Sequence, residues 1–225
     1  CALYTYSMIH PEADLYAHDI HFTGKSSSFK VTYEGKDYDF ETRLAGRFNV
    51  YNTLGAVGAC LSEGVPMETI VEGMRDFKSV PGRFELIDEG QPFTVVVDYA
   101  HTPDGLEKIL TTAEEITKGR IIVVFGCGGD GDRMKRPIMG RIAARNADIA
   151  LVTSDNPRTE DPASIVKEVA AGVEEVKKEK PSLSYEVIVD RRSAICRAIE
   201  LAKPGDIVLI AGKGHENYQI LKDKT

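Results

Sequence analysis

The chain of 225 residues has no tryptophan, few cysteines and no surplus of positive charge. Its 4 cysteines, Cys1, Cys60, Cys127 and Cys196, lie far apart with no CxxC pair. That spacing excludes a disulfide framework and fits a reducing cytosol. The 5 histidines (His10, His18, His21, His101 and His215) show neither HExxH nor a Cys/His ligand spacing, so no metal site is expected. No apolar run approaches the ~20 residues of a membrane span, and the N-terminus has no signal-peptide pattern. Lys+Arg is 28 against Asp+Glu 35, a net charge of −7. Without a basic surplus to neutralise phosphates, general nucleic-acid binding is excluded, and so is a membrane partner. The opening Cys1-Ala2-Leu3-Tyr4 has no initiator methionine and starts mid-pattern, so the chain is expected to be a fragment. There is no internal repeat and no phosphate-binding P-loop. Gly24-Lys25-Ser26-Ser27 has the tail of one, but Asp19 stands where the earlier glycine is required, and a strand pattern follows instead of a helix.

What is present is ordinary globular composition, 42% hydrophobic and 28% charged, in two rhythms. Phe29, Val31 and Tyr33 alternate with polar residues, Glu34-Gly35 breaks the run, and Tyr38 and Phe40 alternate again, which predicts a hairpin. A helix follows Arg47–Asn52, with Leu54, Val57 and Leu61 on one face and Gly64 as its stop. Pro66 opens a second, with Ile70, Met74 and Phe77 inward. Val80-Pro81-Gly82 punctuates the chain and sets an expected boundary between residues 1–82 and 83–225. Beyond it, β-branched runs at Thr94–Val97, Ile121–Phe125, Ile149–Thr153, Val187–Val189 and Ile207–Ile210 alternate with helical patterns. One such pattern carries Ile165, Val166, Val169, Ala170, Val173 and Val176 as a stripe. Pro103, Pro137 and Pro162 each stand in the first turn of a helix, where a missing N–H costs nothing. Such alternation implies right-handed βαβ units and a mostly parallel sheet.

Ligands of an open parallel sheet bind outside the carboxyl ends of its strands. Four polar loops fall there: 98–104, 126–133, 154–161 and 212–216. Gly126–Gly131 formally matches GxGxxG, but Asp132–Arg136 intervene before Pro137, so a dinucleotide site is disfavoured. Asp98 and His101 could act as an acid and a base, yet no nucleophilic serine or cysteine accompanies them. In Asp155-Asn156-Pro157-Arg158, the arginine can grip a carboxylate through two parallel hydrogen bonds. Asp155 and Asn156 can meet an ammonium, and the helix from Pro162 brings a positive end nearby. Together they suit a zwitterionic amino-acid end. Equally, the first two residues could form a turn while Arg158 pairs with a surface carboxylate. Gly212-Lys213-Gly214-His215-Glu216 allows close approach of backbone to a ligand, although Lys213 could simply be solvated.

In this order the segments resemble those of the Mur ligases. The matching residues are Gly46-Arg47-Phe48-Asn49-Val50-Tyr51-Asn52, Pro81-Gly82-Arg83-Phe84-Glu85, 98–104, 126–130 with Lys135-Arg136-Pro137, 155–162 and 212–219. They cover nearly the whole chain. The resemblance implies an α/β protein: a C-terminal Rossmann-like, mostly parallel sheet with flanking helices, preceded by part of a mixed α/β central ATPase domain. It also implies a cytoplasmic, monomeric, ATP-dependent amide ligase of peptidoglycan synthesis. Such a ligase phosphorylates a carboxylate with ATP and Mg2+, and an amine then displaces the phosphate. The P-loop and the carbamylated lysine of the family's central domain have no match here, so the chain alone should be inactive.

By the same resemblance, Asn49 and Asn52 match adenine-side positions. Arg83, Asp98 and His101 match catalytic and ATP-binding positions, where an arginine offsets charge developing on the transferred phosphoryl group. Asp155, Asn156 and Arg158 match the amino-acid selectivity motif, with Gly212 and Glu216 as further contacts. Arginine at the fourth motif position goes with meso-diaminopimelate, added to UDP-N-acetylmuramoyl-L-Ala-D-Glu. L-lysine lacks the distal carboxylate and would leave Arg158 unpaired, a strong basis for discrimination. One departure stands out. Diaminopimelate-type members carry an arginine where this chain has Gly131, so either Arg133 substitutes or the contact is lost. The competing expectations are L-lysine as the added residue, a folylpolyglutamate- or cyanophycin-type ligase, an NAD(P)-binding oxidoreductase using Gly126–Gly131, and a non-catalytic binding module.

Overall fold

The hairpin pattern becomes β3 (Ser27–Tyr33) and β4 (Lys36–Thr42), paired antiparallel. The turn between them takes the positive φ that a tight hairpin needs at both positions, 48° at Glu34 and 74° at Gly35. These features come from a computed structural model, which describes residues 3–23 and 26–222. Cys1 and the Gly24-Lys25 pair of the P-loop-like segment lie outside them. Two compact units make up the chain, Cys1–Ser79 and Val80–Thr225.

In the first unit, β1 (Tyr6–Ser7) runs parallel to β2 (Leu15–Phe22), and β2 pairs antiparallel with β3. Phe29 and Phe40 face each other across the hairpin with rings stacked at 5.5 Å. They join Leu15, Val31, Leu54 and Val57 in a buried core. The helix α1 (Arg47–Ser62) contributes Val50, Leu54 and Val57 at helical spacing, with Leu61 partly buried beside them. The helix α2 (Met67–Asp76) follows Pro66 and buries Met67 and Ile70. Phe77, expected inward, is instead 40% exposed. The helix ends at Asp76, Phe77 is already extended (ψ 117°), and its side chain leaves the helical face.

The second unit holds one sheet of β5 (Glu85–Ile87), β6 (Thr94–Asp98), β7 (Ile121–Phe125), β8 (Ile149–Val152), β9 (Ser184–Val187) and β10 (Ile207–Ala211). Their spatial order is β5-β6-β10-β7-β8-β9. All pairs are parallel except β5 with β6. The sheet advances from β6 through β7 and β8 to β9 over α3 (Pro103–Ile116), α4 (Lys135–Asn146) and α5 (Pro162–Glu179). It then returns through α6 (Arg191–Leu201) to insert β10 between β6 and β7. Right-handed crossovers in opposite directions place α6 on the face opposite the other three. There Ala194 and Ala198 pack on Val95, Ile122, Val124, Ile149, Leu151 and Val208.

One strand expectation needs correction, and one strand was not expected. The edge strand β9 lies at 184–187, not 187–189. The apolar run instead closes the turn into α6, where Ile188 packs against the core and the Val189 carbonyl accepts from Ser154 N. The antiparallel strand β5 carries no alternating apolar signal of its own. Among the described residues no helix is long and apolar enough to cross a membrane.

Candidate functional site

The carboxyl ends of β6, β10, β7 and β8 open into the polar loops on one edge of the sheet. The glycines after β7 have a local explanation. A Cβ on Gly129 would stand 1.9 Å from the Pro157 carbonyl oxygen, and Gly129 N donates to Asn156 O at 2.9 Å. The 126–131 loop is thus laid directly on the 154–158 loop, and Gly126, where a Cβ would stand 2.2 Å from Thr153 O, takes part in the same close approach. Asp130 fastens the two together, accepting from Thr159 Oγ1 at 2.5 Å while its own N–H donates to Glu160 at 2.7 Å.

Under this clasp Arg136 is fully buried. Its guanidinium takes Glu160 in a two-point grip (2.7 and 3.0 Å) and also reaches Glu168 at 2.8 Å. The Arg136 hydrogen bonds, first among the causes, hold the Glu160 carboxyl down at about 2. Arg133, expected as a substitute substrate contact, lies 2.5 Å from Glu168 and 3.9 Å from Glu160. There it adds to the same ion-pair network. The start of α5 is capped by Asp161, which accepts from Ser164 N at 3.0 Å.

The Asp155-Asn156-Pro157-Arg158 loop meets the segment after β10. Asp155, Asn156 and Lys213 are buried. Lys213 Nζ donates to Asn156 Oδ1 at 2.8 Å and to Glu216 Oε2 at 3.0 Å, and stands 3.9 Å from Asp155 Oδ1. Asn156 Nδ2 donates to the same Glu216 oxygen at 3.2 Å, and Tyr99 OH to the other at 3.3 Å. Burial raises the Glu216 pKa, but the bonds from Lys213 and Asn156 outweigh it and leave the group below its ordinary value. Gly212 has φ 118°, and a Cβ there would stand 2.6 Å from Asp155 Oδ2. That oxygen is buried and has no hydrogen-bond partner among the described residues. An orphaned carboxylate oxygen of this kind is costly unless something supplies a donor. Arg191, 8% exposed, donates to Ala211 O at 2.9 Å and braces the exits of β8 and β10. Burial lowers its pKa, against the charges of Asp155 and Glu216.

Arg158 is exposed and left-handed, with φ 53°. Its N–H donates to Ile220 O at 3.1 Å and its Nη1 to Gly129 O at 2.5 Å. Among the described residues it pairs with no carboxylate, so much of its five-donor fork stays open. A cleft of about 470 Å3 lies beside the cluster, with Val97 and Ile210 in its lining beside Arg191, Lys213, Glu216 and Tyr218.

Arg83, Asp98 and His101 gather around Tyr99. The exposed Arg83 guanidinium lies over the Tyr99 ring, 4.9 Å from its centre. His101 packs edge-on to the same ring at 4.8 Å, and its Nδ1 is bonded to Tyr99 O at 2.8 Å. Asp98 spends both oxygens on backbone, accepting from Phe84 N at 2.6 Å and Ala100 N at 2.7 Å. Burial is the main influence on its pKa, which it raises. An acid–base pairing of Asp98 with His101 is therefore not what the geometry builds. Asp98 positions the turn that presents Arg83. In the first unit, taken by itself, Asn49 is buried at the start of α1. Its Nδ2 donates to Ala45 O at 2.9 Å, and its Oδ1 accepts from Asn52 at 3.2 Å.

Arg191 and Tyr99 escaped the sequence-level site. Arg191 opens a helix after Asp190 and has no glycine or spacing signal to mark it. Tyr99 sits inside the recognised 98–104 loop, and its aromatic platform was the signal available.

A domain model described as "Mur ligase, glutamate ligase domain" matches residues 82–214, and one described as "Mur ligase middle domain" matches residues 1–60. A UDP-N-acetylmuramoyl-L-alanyl-D-glutamate--2,6-diaminopimelate ligase of Clostridium botulinum is 49% identical over 96% of this chain and 44% of its own length. The protein of the same description from Syntrophomonas wolfei is 50% identical over 96% of this chain and 44% of its own length. The chain spans less than half the length of these curated relatives. A solved structure of a ligase of that description superposes with a TM-score of 0.70 at 39% identity, over 96% of this chain and 43% of the other. Folylpolyglutamate synthase from Thermotoga maritima shares the fold, with a TM-score of 0.67 at 22% identity over 88% of this chain and 44% of the other.

Proposed function

We propose, from the premise that this chain belongs to the Mur ligase family, that it is part of an ATP-dependent amide ligase. The reading is that the whole protein adds meso-diaminopimelate to UDP-N-acetylmuramoyl-L-Ala-D-Glu in peptidoglycan synthesis, through an acyl phosphate. One observation carries the choice of amino acid. The buried Asp155 holds an unpartnered oxygen against Gly212, while Arg158 two residues after Asn156 keeps an open fork. The first accepts from an ammonium and the second grips a carboxylate, which are the two groups on the distal end of diaminopimelate. The exposed Arg83 and His101, grouped on Tyr99, suit a polyphosphate, and Asn49 and Asn52 are the proposed adenine-side residues. ATP with Mg2+ supplies the activating phosphoryl group. Arg83 offsets charge on that group as it transfers, and Asp98 holds the Arg83 turn in place. All partners in this reading are small molecules.

Isothermal titration of the full-length protein with diaminopimelate and L-lysine tests it. Diaminopimelate should bind at least about tenfold more tightly, a difference of about 1.4 kcal/mol, and Arg158→Ala should erase most of that preference. Equal affinities in the unsubstituted protein would refute the assignment of the amino acid.

A further inference from the structure

The ligand loop carries more cations than acids. Asp155 and Glu216 face Lys213 and Arg191, with Arg158 at the rim. Lys213 is the buried cation in direct contact with Glu216, and Glu216 already accepts three hydrogen bonds. One oxygen accepts from both Lys213 and Asn156, and the other accepts from Tyr99. Among the described residues the buried Asp155 Oδ2 has no donor. The Tyr218 ring lies 5.5 Å from Lys213 Nζ.

The consequence concerns the charge class of the ligand. A side-chain end bearing an ammonium and a carboxylate brings no net charge, and its carboxylate meets Arg158. A bare ammonium adds a cation to a site that already has an excess of them, and the Glu216 it would meet is already ion-paired with Lys213. We propose that Lys213 is a specificity-determining residue: it serves as an internal counter-ion that withholds Glu216 from a singly cationic ligand and so selects zwitterionic side-chain ends. This inference rests on the amino-acid site of the proposed function. It differs from the role given to Arg158, which rewards a carboxylate but does not penalise a bare amine.

The test measures binding of L-lysine and of meso-diaminopimelate to the full-length protein and its Lys213→Met, Lys213→Gln and Lys213→Arg variants, with thermal melts to establish folding. Loss of the cation frees Glu216, so lysine should bind Lys213→Met and Lys213→Gln about tenfold more tightly than the unsubstituted protein. Lys213→Arg restores the charge and should return lysine affinity to the starting level. A purely structural lysine predicts weaker binding of both ligands in every variant. Lysine affinity that is unchanged or lower in the folded neutral variants overturns the inference. Absence of a diaminopimelate preference in the unsubstituted protein refutes the proposed amino acid instead, and the lysine gain still decides the role of Lys213. Arg158→Ala separates the two effects, because it should weaken diaminopimelate without strengthening lysine.

Discussion

Two buried arginines lie beneath neighbouring loops of the same sheet edge, and their surroundings differ. Arg136 is fully buried and held by two carboxylates, Glu160 and Glu168, in a closed set of ion pairs. Arg191 is nearly as buried but bonds to main-chain carbonyls, and the acids beside it are shared with Lys213 or left partly unpaired. The first arrangement pairs its cation with two acids, leaving the buried Arg136 Nε without an acceptor among the described residues, and fixes the clasp between the 126–131 and 154–161 loops. The second leaves a carboxylate oxygen awaiting a donor. Closed charge sets build scaffold, whereas an open one next to a cleft is where a ligand can supply the missing partner.

Substitution of the two arginines probes that contrast most severely. Arg136→Ala leaves Glu160 and Glu168 crowded without their buried cation and should cost about 3–5 kcal/mol in urea unfolding. Arg191→Ala removes bonds to neutral carbonyls and should cost about 1–3 kcal/mol. Equal losses would break the distinction between the closed set and the open one. A milder probe is acid. Glu160 titrates at about 2 in the folded protein, below its ordinary value of 4.5. Its contribution is therefore fully present above about pH 4.5 and disappears as pH falls towards about 2. Melting temperature followed down this range should show the loss, and Glu160→Gln should flatten that part of the profile. The smallest effect belongs to the open set. The Glu216 charge is the leading cause of the raised Tyr99 pKa. Glu216→Gln should move the phenol back down towards its usual value in an ultraviolet titration, while Glu160→Gln should leave it in place.

The parts of the fold that were legible in the sequence were those specified by short-range chemistry. The positive-φ pair at Glu34-Gly35 marks its hairpin, and Pro103 and Pro162 open their helices one residue after a side-chain cap, Thr102 and Asp161. The edge strand β9 is hidden because it has a sheet neighbour on one side only, and its strongest apolar residues belong to the following turn. The loop residues Asp155, Asn156, Arg158 and Glu216 stand out by type and spacing, but their partners come from remote positions. Lys213 reaches 57 residues back to Asn156, and Arg191 spans 37 residues to Ser154. No local pattern distinguishes a buried lysine in such a cluster from one in water. Gly126 and Gly129 show the converse case. They belong to a glycine-rich run that imitates a nucleotide motif, while what requires them is the close approach of the Thr153 and Pro157 carbonyls, which come later in the chain.

The placement of β10 carries a consequence for synthesis. This strand is the last of its sheet in sequence but sits in the interior, bonded along both sides to β6 and β7. A nascent chain that has left the ribosome only as far as α6 therefore holds a sheet with a vacant slot, and the unsatisfied ladders of β6 and β7 face it from either side. Such bare edges invite pairing with foreign strands. Late arrival of Ile207–Ala211 closes the slot and, in the same event, brings Gly212, Lys213 and Glu216 to Asp155, so this polar cluster assembles only once the domain's most aggregation-prone stage is over.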